Sequence, residues 1–267
     1  MEIVFLGTGN AAVTEIYNTC FAILDGGECF LVDAGGGNTI LSRLKKAGIG
    51  LDDIKNIFVT HKHIDHILGV IWLIRMIAQN MDKGKIQGSV NIYGHDEVIG
   101  LLEDICGKLL QKKQTRHFGE DIFLNTVADG ESLSILGKTV EFFDIHSTKA
   151  KQFGFAMELN EGRRLCCCGD EPLNENNLEY ARGCKWLLHE AFCLEEDADR
   201  FKPFEKSHTT VKRAAITARE MGVENLVLYH SEDSTIKNRK ELYTTEAKAE
   251  FDGMVYVPED MERLSLN

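Results

Sequence analysis

Proline is nearly absent, with three residues in 267, and no Pro-, Gly- or Ser-rich linker interrupts the chain. That speaks against tethered modules and for one domain over residues 1–267, long enough to bury a sizeable core. No run approaches the ~20 apolar residues that a membrane-crossing helix needs, so no membrane partner is expected. The opening Met1-Glu2-Ile3-Val4-Phe5-Leu6 lacks a basic segment and a cleavage site, and reads as a first strand, not as an export signal. Positive charge is also short: 30 Lys and Arg stand against 42 Asp and Glu, for a net charge of −12. The phosphate backbone must meet cations, so this balance argues against broad nucleic-acid binding. The one modestly basic stretch, Lys108 to Arg116, reads as the solvated end of a helix. Internal repeats and low-complexity segments are missing too. Cysteine is present eight times, but a disulfide framework is not. Cys20, Cys29, Cys106, Cys184 and Cys193 sit in apolar contexts, and Cys166-Cys167-Cys168 alternate across one strand. Reduced thiols in a cytoplasmic protein are the expectation.

What the chain does have is concentrated in Thr60-His61-Lys62-His63-Ile64-Asp65-His66. Residues 61–66 hold three of the nine histidines and one aspartate. The stretch follows a strand-like run, Ile54 to Val59, and precedes a helix-like run, Ile67 to Gln79. His61 and His63, two apart on an extended or turning backbone, point the same way and can hold one cation. Asp65 and His66 can turn toward a second. Zinc, iron and manganese all accept mixtures of imidazole and carboxylate.

Along the chain, strands are expected at 2–6, 20–24, 29–32, 54–59, 90–93, 118–127, 132–136, 139–145, 153–159, 163–168, 186–188, 226–229 and 254–257. Helices are expected from 39, capped by Asn38, to about 46, and at 67–79, 96–111, 174–181, 208–221 and 237–250. Strands come first and then alternate with helices, twice over, which suggests two similar α/β halves. Thr8, Asn10 and Thr14 follow the first strand and read equally as anion donors or as a simple loop. Asp33, at a strand end before Gly35-Gly36-Gly37, suggests a group pointed into a site. Three more ligand-type residues follow apolar β runs: His146, Asp170 and His230. A rigid strand that delivers a ligand at its tip is how a preorganised metal site is built.

His61-x-His63-x-Asp65-His66, then His146, Asp170 and His230 in that order, resemble the metallo-β-lactamase superfamily. The opening Phe5-Leu6-Gly7-Thr8-Gly9 and Leu31-Val32-Asp33-Ala34-Gly35 fit it as well. The resemblance implies a four-layer αβ/βα sandwich with a dinuclear site between its sheets. It implies two divalent ions, with zinc first and manganese or iron as alternatives. His61, His63 and His146 would hold one ion, Asp65, His66 and His230 the other, and Asp170 would bridge.

Superfamily membership leaves the reaction open. Leu188-His189-Glu190-Ala191-Phe192 and Ser207-His208-Thr209-Thr210 resemble two motifs of ribonuclease Z. There the Glu and the later His assist protonation of the leaving group. Here they are Glu190 and His208, which join Asp65 as the candidate catalytic residues. Two metals would polarise the phosphoryl oxygens and create a hydroxide nucleophile, and a carboxylate-paired His would supply the proton to the departing alkoxide. His189, His95 and His117 read as structural or surface residues. Two departures stand out. Ribonuclease Z carries a long tRNA-gripping arm between the positions of His146 and Asp170, where only 23 residues, enough for one hairpin, lie here. Glu232 and Asp233 also follow His230, where acids would repel a polynucleotide. The expectation is therefore a phosphodiesterase for a small substrate, such as a nucleotide or a cyclic phosphate, and not for extended nucleic acid. The alternatives are a thioester, lactone or lactam hydrolase, as in glyoxalase II, or tRNA 3′ processing. Ribonuclease Z relatives are commonly dimers, so the resemblance is compatible with a homodimer.

Overall fold

The computed structural model describes residues 1–266, in two compact units. The first comprises 1–7, 18–128 and the residues from 261 onward; the second comprises 8–17 and 129–260.

The first unit is built on a seven-stranded mixed sheet. Six of its strands are β1 (Glu2–Gly7), β2 (Cys20–Asp25), β3 (Glu28–Val32), β4 (Ile54–Phe58), β5 (Val90–Gly94) and β6 (Ile122–Thr126), and the seventh comes from the end of the chain. Three antiparallel strands, β1 to β3, turn back on one another, and Gly26 and Gly27 make the β2–β3 turn with positive φ. From β3 onward each strand runs parallel to the last, and helices make the crossovers. These are α1 (Thr39–Ala47), α2 (Ile64–Asp82), α3 (Asp96–Leu109) and the single turn α4 (Lys112–Thr115). The apolar side of α2 (Val70, Leu73, Ile74, Ile77) is fully buried.

The second unit repeats the plan. Its antiparallel strands are β7 (Ser132–Ile135), β8 (Lys138–Asp144), β9 (Phe153–Glu158) and β10 (Arg164–Cys167), followed in parallel by β11 (Trp186–Glu190), β12 (Asn225–Tyr229) and β13 (Met254–Tyr256). Helices α5 (Leu178–Ala181), α6 (Ala198–Phe201), α7 (Val211–Glu220) and α8 (Arg239–Lys248) accompany them. Its core gathers Phe143, Ile145, Cys166, Cys168, Leu187, Leu226 and Tyr243. The 23 residues after His146 hold one hairpin, β9–β10, and no arm.

Several elements differ from their expected bounds, for local reasons. Helix α2 begins at Ile64, three residues early, because extended His63 caps it and its carbonyl accepts the His66 and Ile67 N–H groups. Asp65 thus lies in the first turn, where the helix dipole favours a carboxylate. The strand expected at 118–127 shortens to β6, since the His117 carbonyl collects the N–H groups of Glu120, Asp121 and Ile122 into a turn. The helix expected at 208–221 begins at Val211, because Thr210 accepts the Arg213 N–H as N-cap. The helix expected at 174–181 shrinks to α5, because Asn174 and Asn177 form a side-chain-bonded turn instead. Asn38 stands at the N-cap of α1 without a side-chain cap bond. A last strand, β14 (Arg263–Ser265), pairs antiparallel with β1 and was not anticipated.

Candidate metal centre

In the first unit, the cluster is held by one carboxylate. Asp33 directly follows β3 in a left-handed conformation (φ 55°), a region that costs a non-glycine residue energy. Its Oδ1 accepts the Thr60 N–H at 2.9 Å, and its Oδ2 accepts the Thr60 hydroxyl at 2.8 Å. The same Oδ2 lies 2.7 Å from His66 Nδ1. A carboxylate cannot donate, so His66 Nδ1 carries hydrogen and Nε2 is left as the ligand atom. Thr60 Oγ1 is also 2.9 Å from His61 Nδ1, so Asp33 orients two histidines, one directly and one through a hydroxyl. Braces of this kind fix the tautomer and the ring of metal-binding histidines.

The ligand-type atoms then converge. His61 Nε2 lies 2.7 Å from His63 Nδ1, and His66 Nε2 lies 3.3 Å from Asp65 Oδ2. His61, Asp65 and His66 are buried, whereas His63 is exposed. The electrostatics fit a cation. Burial pulls the His66 pKa down, but Asp33 and Asp65 outweigh it and hold His66 well above the usual histidine value. Asp33 and Asp65 thus surround His66 with negative charge. Close backbone approach places the cluster: Gly69 of α2 donates to the Gly35 carbonyl at 2.8 Å, and a Cβ there would stand 1.9 Å from the Ala34 carbonyl oxygen.

In the second unit the candidate ligands arrive singly, after strand ends. His146 after β8 and His230 after β12 are both left-handed, each with φ 58°. Asp170 follows β10 through Gly169, which has φ 74° and whose carbonyl accepts the Tyr229 hydroxyl. His230 Nε2 is 3.6 Å from Asp170 Oδ2. Glu190, at the end of β11, is fully buried, and its Oε1 accepts the Thr209 N–H at 2.5 Å. Burial holds its carboxyl well above the ordinary carboxylate range. Glu190, His208 and His230 bring ligand atoms within 4.8 Å of one another. His146 is exposed and stands outside that trio, on a cleft with Ser147, Glu171 and Ser207.

His208 differs in one respect from the expected carboxylate-paired histidine. Its Nδ1 is 2.9 Å from the Asp170 carbonyl and 3.8 Å from Glu190 Oε2. The hydrogen bond goes to the carbonyl, so Nδ1 carries hydrogen and Nε2 is free to take and give a proton. Burial pulls the His208 pKa below its ordinary value. Its ring stacks on Phe192, with centroids 5.1 Å apart and planes 22° apart.

The remaining expectations divide cleanly. His189 is structural: Nδ1 donates to the Glu190 carbonyl at 2.7 Å, and burial pulls its pKa down to about 4. His117 is buried between Asp82 and Asp121, and His95 is buried too. Thr8, Asn10 and Thr14 are loop residues, bonded to Asp260, Ser231 and Asp233. Glu232 and Asp233 are employed differently from a repulsive surface. Glu232 accepts from Ser234 and Thr235, and Asp233 from the N–H groups of Thr14 and Glu15. Thr60 was overlooked as a brace; its place before the first histidine of the motif was the available signal.

The chain is 27% identical to the ribonuclease Z of Archaeoglobus fulgidus over 99% of its own length and 97% of that protein. Among solved structures it superposes on the metallo-β-lactamase fold protein YhfI from Bacillus subtilis with a TM-score of 0.77 at 18% identity, covering 98% of each chain. It superposes on the short form of human tRNase Z with a TM-score of 0.74 at 22% identity, covering 100% of each. The fold is thus the α/β sandwich of the metallo-β-lactamases, and the chain is a ribonuclease Z-like metal-binding hydrolase of that superfamily. Residues 1–249 match the family described as anti-Pycsar protein Apyc1, and the chain belongs to that family.

Proposed function

We propose that the chain is a binuclear metal-dependent phosphodiesterase for a small phosphodiester, such as a nucleotide or a cyclic phosphate. His61, His63 and His146 would hold one ion, Asp65, His66 and His230 the other, and Asp170 would serve both. Zinc is the first choice for this imidazole and carboxylate set, with manganese or iron also accepted. Bound divalent ions supply Lewis acidity and an acidified water. Asp65 would accept a hydrogen bond from the attacking water and orient it. His208, held at Nδ1 by the Asp170 carbonyl, would take up a proton at Nε2 and give it to the departing alkoxide. Glu190, buried beside it, fixes the 208–210 segment through the Thr209 N–H.

The observation that carries this reading is His208, aimed by a backbone carbonyl beside Asp170 and His230 and within 3.8 Å of Glu190. A thioester, lactone or lactam hydrolase has no need of that pair. The single hairpin after His146, together with a net charge of −12, favours a small substrate over tRNA. Eight buried free thiols support a reducing compartment such as the cytoplasm. Among the described residues no helix is long and apolar enough to cross a membrane.

The test is His208→Ala on two diesters that differ in leaving group. Turnover should fall by about a hundredfold with an alkoxide leaving group, and much less with p-nitrophenolate, which departs without a proton. An equal loss on both would assign His208 to substrate positioning and remove the acid from the scheme.

A further inference from the structure

Beside the proposed metal ligands of the second unit lies an open cleft of about 400 Å³ that the chemistry above does not use. His146, Ser147, Glu171, Asn174, Asn176 and Ser207 are among the residues that line it. Part of this wall is scaffold. Asn174 donates to the Ile145 carbonyl at 2.5 Å, which ties the wall to the residue before His146, and its Oδ1 accepts from Asn176. Ser147 donates its hydroxyl to Glu171 Oε1 at 2.7 Å and so holds that carboxylate in place.

What remains unengaged is mostly acceptor. Glu171 Oε2 and Asn176 Oδ1 accept no hydrogen bond among the described residues, and the exposed Glu175 carboxylate adds to them. The Ser207 hydroxyl is also unengaged, on a backbone held left-handed (φ 53°) directly before His208. The exposed cation Lys149 lies within electrostatic range of Glu171, but does not line the cleft. A lining rich in acceptors rewards N–H and O–H donors and penalises a second phosphate, whose charge would meet two carboxylates.

We propose that this cleft is the specificity pocket of the site: it takes the neutral, donor-bearing nucleoside part of a phosphodiester through Glu171 Oε2, and rejects substrates that carry a further phosphate. The proposal rests on the phosphodiesterase reading only for the identity of the reacting group.

The experiment compares the metal-loaded protein with its Glu171→Ala and Glu171→Lys variants. The substrates are bis(p-nitrophenyl) phosphate, which has no donors, the 5′-p-nitrophenyl phosphate esters of uridine, 2′-deoxyuridine and cytidine, and the uridine ester with an added 3′-phosphate. Calorimetric titration of uridine 5′-monophosphate gives a readout independent of turnover. Glu171→Ala should lower the ratio of kcat/KM for the uridine ester over the bis ester by about tenfold, through KM, and weaken uridine 5′-monophosphate by a similar factor. Glu171→Lys should raise the relative rate on the 3′-phosphorylated ester. A sugar contact shows as a loss confined to the ribose ester against its deoxy form, and a base contact as a change between uridine and cytidine. Unchanged ratios and an unchanged nucleotide affinity would overturn the proposal even with diester turnover intact. Glu171-dependent nucleotide binding in a protein that cleaves none of the diesters would uphold the pocket and overturn the phosphodiesterase reading.

Discussion

The two units present their candidate ligands in different ways. In the first, four ligand-type residues come from one six-residue stretch, and a single aspartate braces two of the histidines. In the second, His146, Asp170 and His230 come from three strand ends, and both histidines sit on left-handed backbone. The first cluster is a local motif with shared support, so its parts should fail together. The second is a product of topology, in which each ligand is placed by its own strand.

The largest break in that comparison should come from Asp170→Ala. A carboxylate assigned to both ions has no substitute, so activity should fall to background and metal content, measured by atomic emission, should drop. Two bound ions and a full rate in this variant would remove the assignment.

Next is the brace. Asp33→Asn should weaken metal binding by about 10–100-fold, because the His66 tautomer and the Thr60 bridge are lost together. Thr60→Val removes only the His61 arm and should cost less. Competition with a chromogenic chelator orders the two; a larger effect from Thr60→Val would show that the support is not shared.

Gly69→Ala tests the placement of the cluster by backbone contact. A Cβ at 1.9 Å from the Ala34 carbonyl must push α2 away from the 33–37 loop, at a cost of about 1–3 kcal/mol, visible as a lower Tm and weaker metal binding. A variant with the wild-type Tm would mean that the helix can shift freely there.

The smallest effect at neutral pH concerns the thiols. Burial pushes Cys29, Cys106 and Cys193 up to about 12, so native protein should not react with a thiol reagent until it unfolds. In the unfolded chain these thiols ionise near 9, while the folded chain keeps its protons up to about 12. Their contribution is therefore full below pH 9 and declines as pH rises between those two values. Rapid labelling of native protein at neutral pH would contradict the burial.

The same contrast explains what could be read from the sequence. The first cluster is local, so the grouping of its His and Asp side chains and its strand-before, helix-after setting were legible, as was Asp33 at a strand end. The second-unit candidates His146, Asp170 and His230 stand out in the sequence only because each follows an apolar β run. Hydrogen-bond targets were not: that His208 turns to the Asp170 carbonyl, or that Glu232 and Asp233 hold loops, depends on partners far along the chain. The short strand β14 was hidden for a related reason. Arg263-Leu264-Ser265 carries little periodicity, and only its pairing with Glu2 to Val4 defines it. Some element ends moved because side chains took over backbone bonds, as Thr210 does for α7 and Asn177 before α5, and others because a backbone carbonyl closed a turn, as at His63 and His117.

The central claim is that this metal-binding hydrolase cleaves phosphodiesters. The most direct measurement is hydrolysis by the metal-loaded protein of bis(p-nitrophenyl) phosphate, p-nitrophenyl phosphate and a glutathione thioester, side by side. Strong turnover of the diester alone is the expected result. Turnover of the thioester with the diester untouched would contradict the account and leave Glu190 and His208 as structural residues.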